Sequence, residues 1–151
     1  MIKTFNPDFK QDIREKLARQ GFMKLTGFNI TKIEVGSIEG ELTMEDQHLQ
    51  QMGFAHGGLI ATVADIVAGF AAASLVPKGH SVVTAELKVS YLNPGVGEKL
   101  WAKGYVIKSG RRLSFCEAEV YVIKEDHEPL LIAKATTTMA TITPGDIKRR
   151  D

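Results

Sequence analysis

His56-Gly57-Gly58 opens the least polar run of this chain, Gly53 to Leu75, and nine residues past the histidine stands its one carboxylate, Asp65. Taking an unpaired carboxylate out of water costs several kcal/mol, so Asp65 requires a reason. Two glycines let a chain turn sharply and let another molecule come close to the backbone. The first amides of a helix have no internal acceptors, and the helix dipole favours negative charge beside them. Such amides can hold a carbonyl oxygen as it becomes an oxyanion in acyl transfer. The plainer reading is that the glycines start a helix and His56 caps it. On that helix Asp65 lies about 13 Å beyond His56, at 1.5 Å per residue. The two can serve one small group only if a second copy brings its Asp65 to the first copy's helix start. A carboxylate held in a pocket away from water is a typical general base. The structural alternative is an aspartate bonded to a backbone amide or a hydroxyl.

Ser109-Gly110-Arg111-Arg112 reads first as a hairpin turn with solvated arginines. Cys116, between Phe115 and Glu117, has no neighbouring base and reads as a small core residue. His48, His80 and His127 are isolated, and no spacing suggests a metal site. Gly95-Val-Gly97 does not open a helix after a strand, so it is a turn rather than a dinucleotide loop. Trp101 begins a strand and is expected to pack on the sheet or an interface.

The frame that must position these residues fits one domain over 1–151, since 151 residues leave little room for a second core. Asn6-Pro7-Asp8 opens an N-terminal helix over about 7–20, with Phe9, Ile13 and Leu17 at helical spacing. Phe28 to Met44 reads as two strands turning near Gly36-Ser37, with Gly40 inside the second. The apolar helix follows, from about Gly57 to Leu75, and Pro77-Lys-Gly79 ends it. Ser81 to Leu92 alternates, with Val83, Ala85, Leu87, Val89 and Tyr91 on one face and Thr84, Glu86, Lys88 and Ser90 on the other. Lys99 to Lys108, Arg112 to Lys124 and Pro129 to Thr143 complete four strand-like runs, and the short turns between them predict meander connections. Residues of about 146–151 form a polar tail. The class is α+β. A helix apolar on nearly every side needs cover from a curled antiparallel sheet and from a partner subunit.

A formal net charge of +1 gives no general pull towards nucleic acid or anionic membrane. One cysteine excludes an internal disulfide and fits a reducing cytoplasm, and the N-terminus lacks the apolar core of a signal peptide. Leu59 to Val76 is almost long enough to span a bilayer, but Asp65 near its centre would cost roughly 2.5–3.5 kcal/mol there. A buried helix is the expectation.

Gln50, His56-Gly57-Gly58 and Asp65, followed by Tyr91-Leu-Asn-Pro94, Gly97 and Ser109-Gly-Arg111, together resemble the hotdog-fold acyl-CoA thioesterases of the phenylacetate-pathway, PaaI-like type. The resemblance runs from about Gly21 to Thr143 and implies a long helix wrapped by an antiparallel sheet. It implies that the Gly57 amide is the oxyanion donor and that Gln50 helps hold the thioester carbonyl. His56 would order the loop or contact the leaving sulfur. Asp65 of the opposite subunit would be general base or nucleophile, and Thr84 would help place the water. Gly58, Gly110, Arg111 and Arg112 would lie along the CoA moiety, the arginines near its phosphates. In relatives with aspartate the residue six before the histidine is typically Asn, so Gln50 beside Asp65 combines two patterns. The resemblance further implies an acyl-CoA substrate with an aromatic or medium-chain acyl group, no metal or redox cofactor, and a homodimer with shared sites, assembled into a tetramer. Two other readings of the same frame are a non-catalytic acyl-CoA sensor and a hotdog dehydratase or hydratase.

Overall fold

Phe9 and Ile13 are buried and Leu17 is partly so, because their spacing puts them on one face of helix α1 (Phe9–Ala18). The single helix expected over about 7–20 is in fact two. Gln20 is extended, with ψ 102°, and α2 (Gly21–Thr26) starts afresh at the glycine and stops at Gly27, φ 73°. Glycine is the poorest helix former after proline, so the break falls there. The computed structural model describes residues 2–146; the rest of the expected polar tail, 147–151, lies outside the described residues.

β1 (Asn29–Glu34) and β2 (Ser37–Thr43) form a hairpin that turns at Gly36, φ 71°. The apolar helix is α3 (Gly57–Ala73), followed by β3 (Ser81–Tyr91), β4 (Lys99–Ser109), β5 (Leu113–Ile123) and β6 (Leu130–Ile142). All pairings are antiparallel, in the order β1-β2-β4-β5-β6-β3. The class is the expected α+β, with α3 packed against the curved sheet. Val63, Ala64, Val67, Ala68 and Ala71 of α3 are buried with Ile38, Leu100, Ala102, Ala118 and Val120 of the strands. Helix and sheet touch most closely at Gly104 of β4. A Cβ there would lie 2.4 Å from the Val67 carbonyl carbon, so only glycine admits the helix backbone. No helix among the described residues is long and apolar enough to cross a membrane.

The meander expectation holds for β4, β5 and β6 and fails for β3. Asn93-Pro94-Gly95 does not join β3 to β4 as a hairpin, because β4 is flanked by β2 and β5 while β3 pairs with β6. Three strand spacings separate β3 from β4, about 14 Å at 4.8 Å each. Residues 92–98 can reach about 23 Å, so a link that looks like a turn crosses the sheet.

The alternation read in β3 is also broken. A bulge between Thr84 and Glu86 leaves Ala85 unpaired, so the strand changes face part-way along. Thr84 pairs with buried Met139 and Leu87 with buried Thr137, which puts Thr84, Leu87, Val89 and Tyr91 on the helix side. Val83, expected in the core, is 51% exposed. β3 is also an edge of the sheet, with no neighbour along its outer side among the described residues.

Candidate active site

A tight loop delivers the start of α3. Leu49 bridges Ala55, the Gln50 N–H donates to the Phe54 carbonyl (2.8 Å), and the His56 N–H donates to the His48 carbonyl (2.9 Å). His48 anchors the loop from inside. Its Nδ1 accepts the Glu45 N–H, and its Nε2 lies 2.9 Å from the Thr26 carbonyl, so this buried imidazole is fully occupied. Gln50 is half-buried, and its Oε1 accepts the Met52 N–H.

His56 is the N-cap of α3. It is extended, and its Nδ1 accepts the Gly58 N–H at 2.9 Å. A Cβ on Gly58 would lie 3.0 Å from that nitrogen, so the second glycine makes room for the capping imidazole. The Gly57 N–H has no acceptor among the described residues. From β3, the Tyr91 hydroxyl donates to the Gly57 carbonyl at 2.8 Å. In the sequence Tyr91 stands out only within the Tyr91-Leu-Asn-Pro94 motif. Alternation places it with Leu87 and Val89, the face that turns to the helix, but gives no sign of a contact with Gly57, 34 residues away.

Asp65 is half-buried, and its Oδ1 accepts the Thr84 hydroxyl at 2.7 Å. The pair lines a cleft of about 570 Å³ between α3, the N-terminal helices and β3, with Ile66, Gly69 and Phe70 as its floor. Thr62, Asp65, Ile66, Gly69 and Ala73 form the stripe of α3 that the sheet leaves half-covered.

The fold brings Asp65 to Thr84 and His56 to Gly58. It keeps Gly57 and Asp65 of one chain eight residues apart on a helix, about 12 Å. Arg111 and Arg112 sit elsewhere, on the β4–β5 turn beyond the far end of α3. Both are exposed and line a second cleft of about 1100 Å³ with Lys3 and His80. The Gly110 N–H donates to the Leu113 carbonyl at 2.8 Å, so that amide, like the one at Gly58, is already engaged. Cys116 is core, and burial pushes its thiol up to about 11. Trp101 packs on Tyr121 across the sheet, ring centres 4.8 Å apart. No group of three His, Cys, Asp or Glu is gathered among the described residues.

The profile of the thioesterase superfamily matches residues 52–127. A thioesterase family protein from Silicibacter pomeroyi is 35% identical in sequence, with a TM-score of 0.87 over 89% of this chain and 98% of that one. The structure of smu.793 from Streptococcus mutans, bound to acetyl CoA, is 29% identical, with a TM-score of 0.66 over 77% of this chain and 89% of that one. Acyl-coenzyme A thioesterase 13 of Mus musculus is 28% identical over 53% of this chain. The chain spans 57% of that mouse protein and 62% of the Caenorhabditis elegans protein F42H10.6, less than two thirds of each.

Proposed function

The chain belongs to the thioesterase superfamily, and from that premise we propose that it hydrolyses acyl-CoA thioesters in sites shared by two subunits. The observation that carries the reading is the Asp65–Thr84 pair, a carboxylate on α3 held by a hydroxyl and facing an open cleft. Thr84 occupies Oδ1, which leaves Oδ2 for a water. Asp65 takes a proton from that water as its oxygen attacks the thioester carbonyl. The Gly57 N–H of the other subunit receives the oxyanion, with Gln50 beside it. Collapse breaks the C–S bond, and the proton on Asp65 goes to the departing thiolate, giving free acid and CoA. Direct attack by Asp65, through an acyl-aspartate that water then hydrolyses, uses the same atoms.

The need for two subunits follows from the helix, which holds Gly57 and Asp65 too far apart for one carbonyl. β3 supports the same arrangement. An eleven-residue edge strand with exposed Val83 is a template for pairing with another chain. That strand carries Thr84, so a second copy arriving on it comes up beside Asp65. Arg111 and Arg112 have the fork geometry that suits the phosphates of CoA. The acyl-CoA of smu.793 and the name of the mouse relative support this class of substrate.

Release of free thiol from hexanoyl-, octanoyl- and phenylacetyl-CoA tests the reading. Hydrolysis of at least one ester, lost in Asp65→Asn, is the expected result. No release from any of the three, with the esters bound intact, would overturn it in favour of a sensor.

A further inference from the structure

We propose that Tyr91 is a positioning residue, one jaw of a two-point clamp on the Gly57–Gly58 peptide that aims the neighbouring oxyanion donor. This rests on the hydrolase reading above, in which the Gly57 N–H meets the reacting carbonyl.

The Gly57–Gly58 peptide is held at both of its polar ends. Its carbonyl accepts the Tyr91 hydroxyl at 2.8 Å, and its N–H donates to His56 Nδ1 at 2.9 Å. One jaw comes from the helix cap, and the other comes from the end of a strand 34 residues away. A peptide between two glycines is the one most able to rotate, since neither flanking Cβ restricts φ and ψ. Rotation there would change the torsions at the Gly57 Cα and swing the N–H on its other side, an amide without an acceptor among the described residues. A donor is worth most to a developing oxyanion when it is already aimed and need not reorganise. The clamp supplies that aim and leaves the Gly57 N–H itself free.

Tyr91 is 54% exposed, so water is at hand for its hydroxyl and burial does not force the bond to Gly57. What forces it is the placement of the ring. Tyr91 lies on the helix side of β3 with Leu87 and Val89, and the segment beyond it is tied down. The Leu92 N–H donates to the Ile132 carbonyl (2.8 Å), and Asn93 Nδ2 donates to the Leu131 carbonyl (2.9 Å). Gly95 then accepts the Ala55 N–H (2.9 Å), two residues before Gly57, and a Cβ on Gly95 would lie 2.8 Å from the Ala55 Cβ. The Tyr91-Leu-Asn-Pro-Gly95 segment thus grips the helix start from two sides.

Tyr91→Phe removes one jaw and keeps the ring. Two readings are taken on the intact protein, thiol release from the three esters above and amide hydrogen exchange at Gly58. The expected result is about a tenfold fall in kcat, equivalent to 1.4 kcal/mol, with KM within about twofold. The melting temperature should stay within about 2 °C, because an exposed hydroxyl adds little to stability. Exchange at Gly58 should quicken several-fold as its peptide loosens. A merely structural role would instead lower the melting temperature and leave kcat per folded molecule unchanged, which overturns the proposal. Unchanged exchange at Gly58 overturns it as well, whatever the activity. A wild-type protein that releases no thiol fails the hydrolase reading, and the exchange measurement still decides the clamp.

Discussion

Asp65 and Thr84 meet through one hydrogen bond of 2.7 Å, in which the carboxylate only accepts. Asparagine at 65 keeps an acceptor oxygen for that hydroxyl but cannot take a proton from water. Asp65→Asn should therefore fold and bind acyl-CoA as before while turnover falls by roughly 10²–10⁴, the usual worth of a positioned acid–base group. Its melting temperature should hold or rise, since a carboxylate partly removed from water is gone. Steady-state kinetics beside a thermal melt check both, and wild-type turnover in the variant would remove Asp65 from the chemistry. The puzzle of an acid in an apolar run resolves at this scale. Asp65 faces the uncovered stripe of α3, with a hydroxyl for company, while its neighbours Val63, Ala64, Val67 and Ala68 face the sheet.

The start of α3 and the β4–β5 turn carry predictions that belong to elements. His56 caps the helix through Nδ1, so His56→Ala should cost about 1 kcal/mol. In a chain of this length that moves the melting temperature down by about 2–4 °C. His56→Asn replaces the imidazole with a strong N-cap and should recover the stability. If its turnover also recovers, His56 acts only as a cap; stable protein with slow turnover would assign the imidazole a part in the reaction. At the turn, replacing Arg111 and Arg112 together by Ala should raise KM for CoA esters and barely change kcat. Contacts remote from the carbonyl hold ground and transition states alike. The effect should shrink when a short pantetheine thioester replaces CoA, and an equal KM rise for both thioesters would show that the arginines do not hold phosphates.

At the scale of the whole molecule, the separation of Gly57 and Asp65 along α3 predicts complementation between two dead variants. A chain with Gln50→Ala keeps its Asp65, and a chain with Asp65→Asn keeps its Gln50. In a mixed two-fold dimer one site combines both intact halves and the other holds both defects. Random mixing makes about half the dimers mixed, so roughly a quarter of wild-type activity should return. Sites built within one chain would each retain a defect, and nothing would return. Turnover after co-refolding, against each variant refolded alone, distinguishes the two.

The sequence by itself determined most of the elements and which residues make up the candidate site, because those signals are local. Periodicity marked α3 and the strands, Gly57-Gly58 behind His56 marked a helix start, and Asp65 stood out against its neighbours. The family, too, was legible from His56-Gly57-Gly58, Asp65 and Tyr91 to Pro94. Tertiary structure alone decided which side of β3 faces the helix. One unpaired residue, Ala85, put Thr84 on the helix side with Leu87, Val89 and Tyr91, against the alternation that grouped it with Glu86 and Lys88. The packing of the whole sheet also placed β3 at the edge beside β6 instead of in a hairpin with β4. Both outcomes depend on pairing with residues about fifty positions later, such as Thr84 with Met139. A one-residue slip there exchanges the two faces of a strand, and nothing in the strand's own composition registers it.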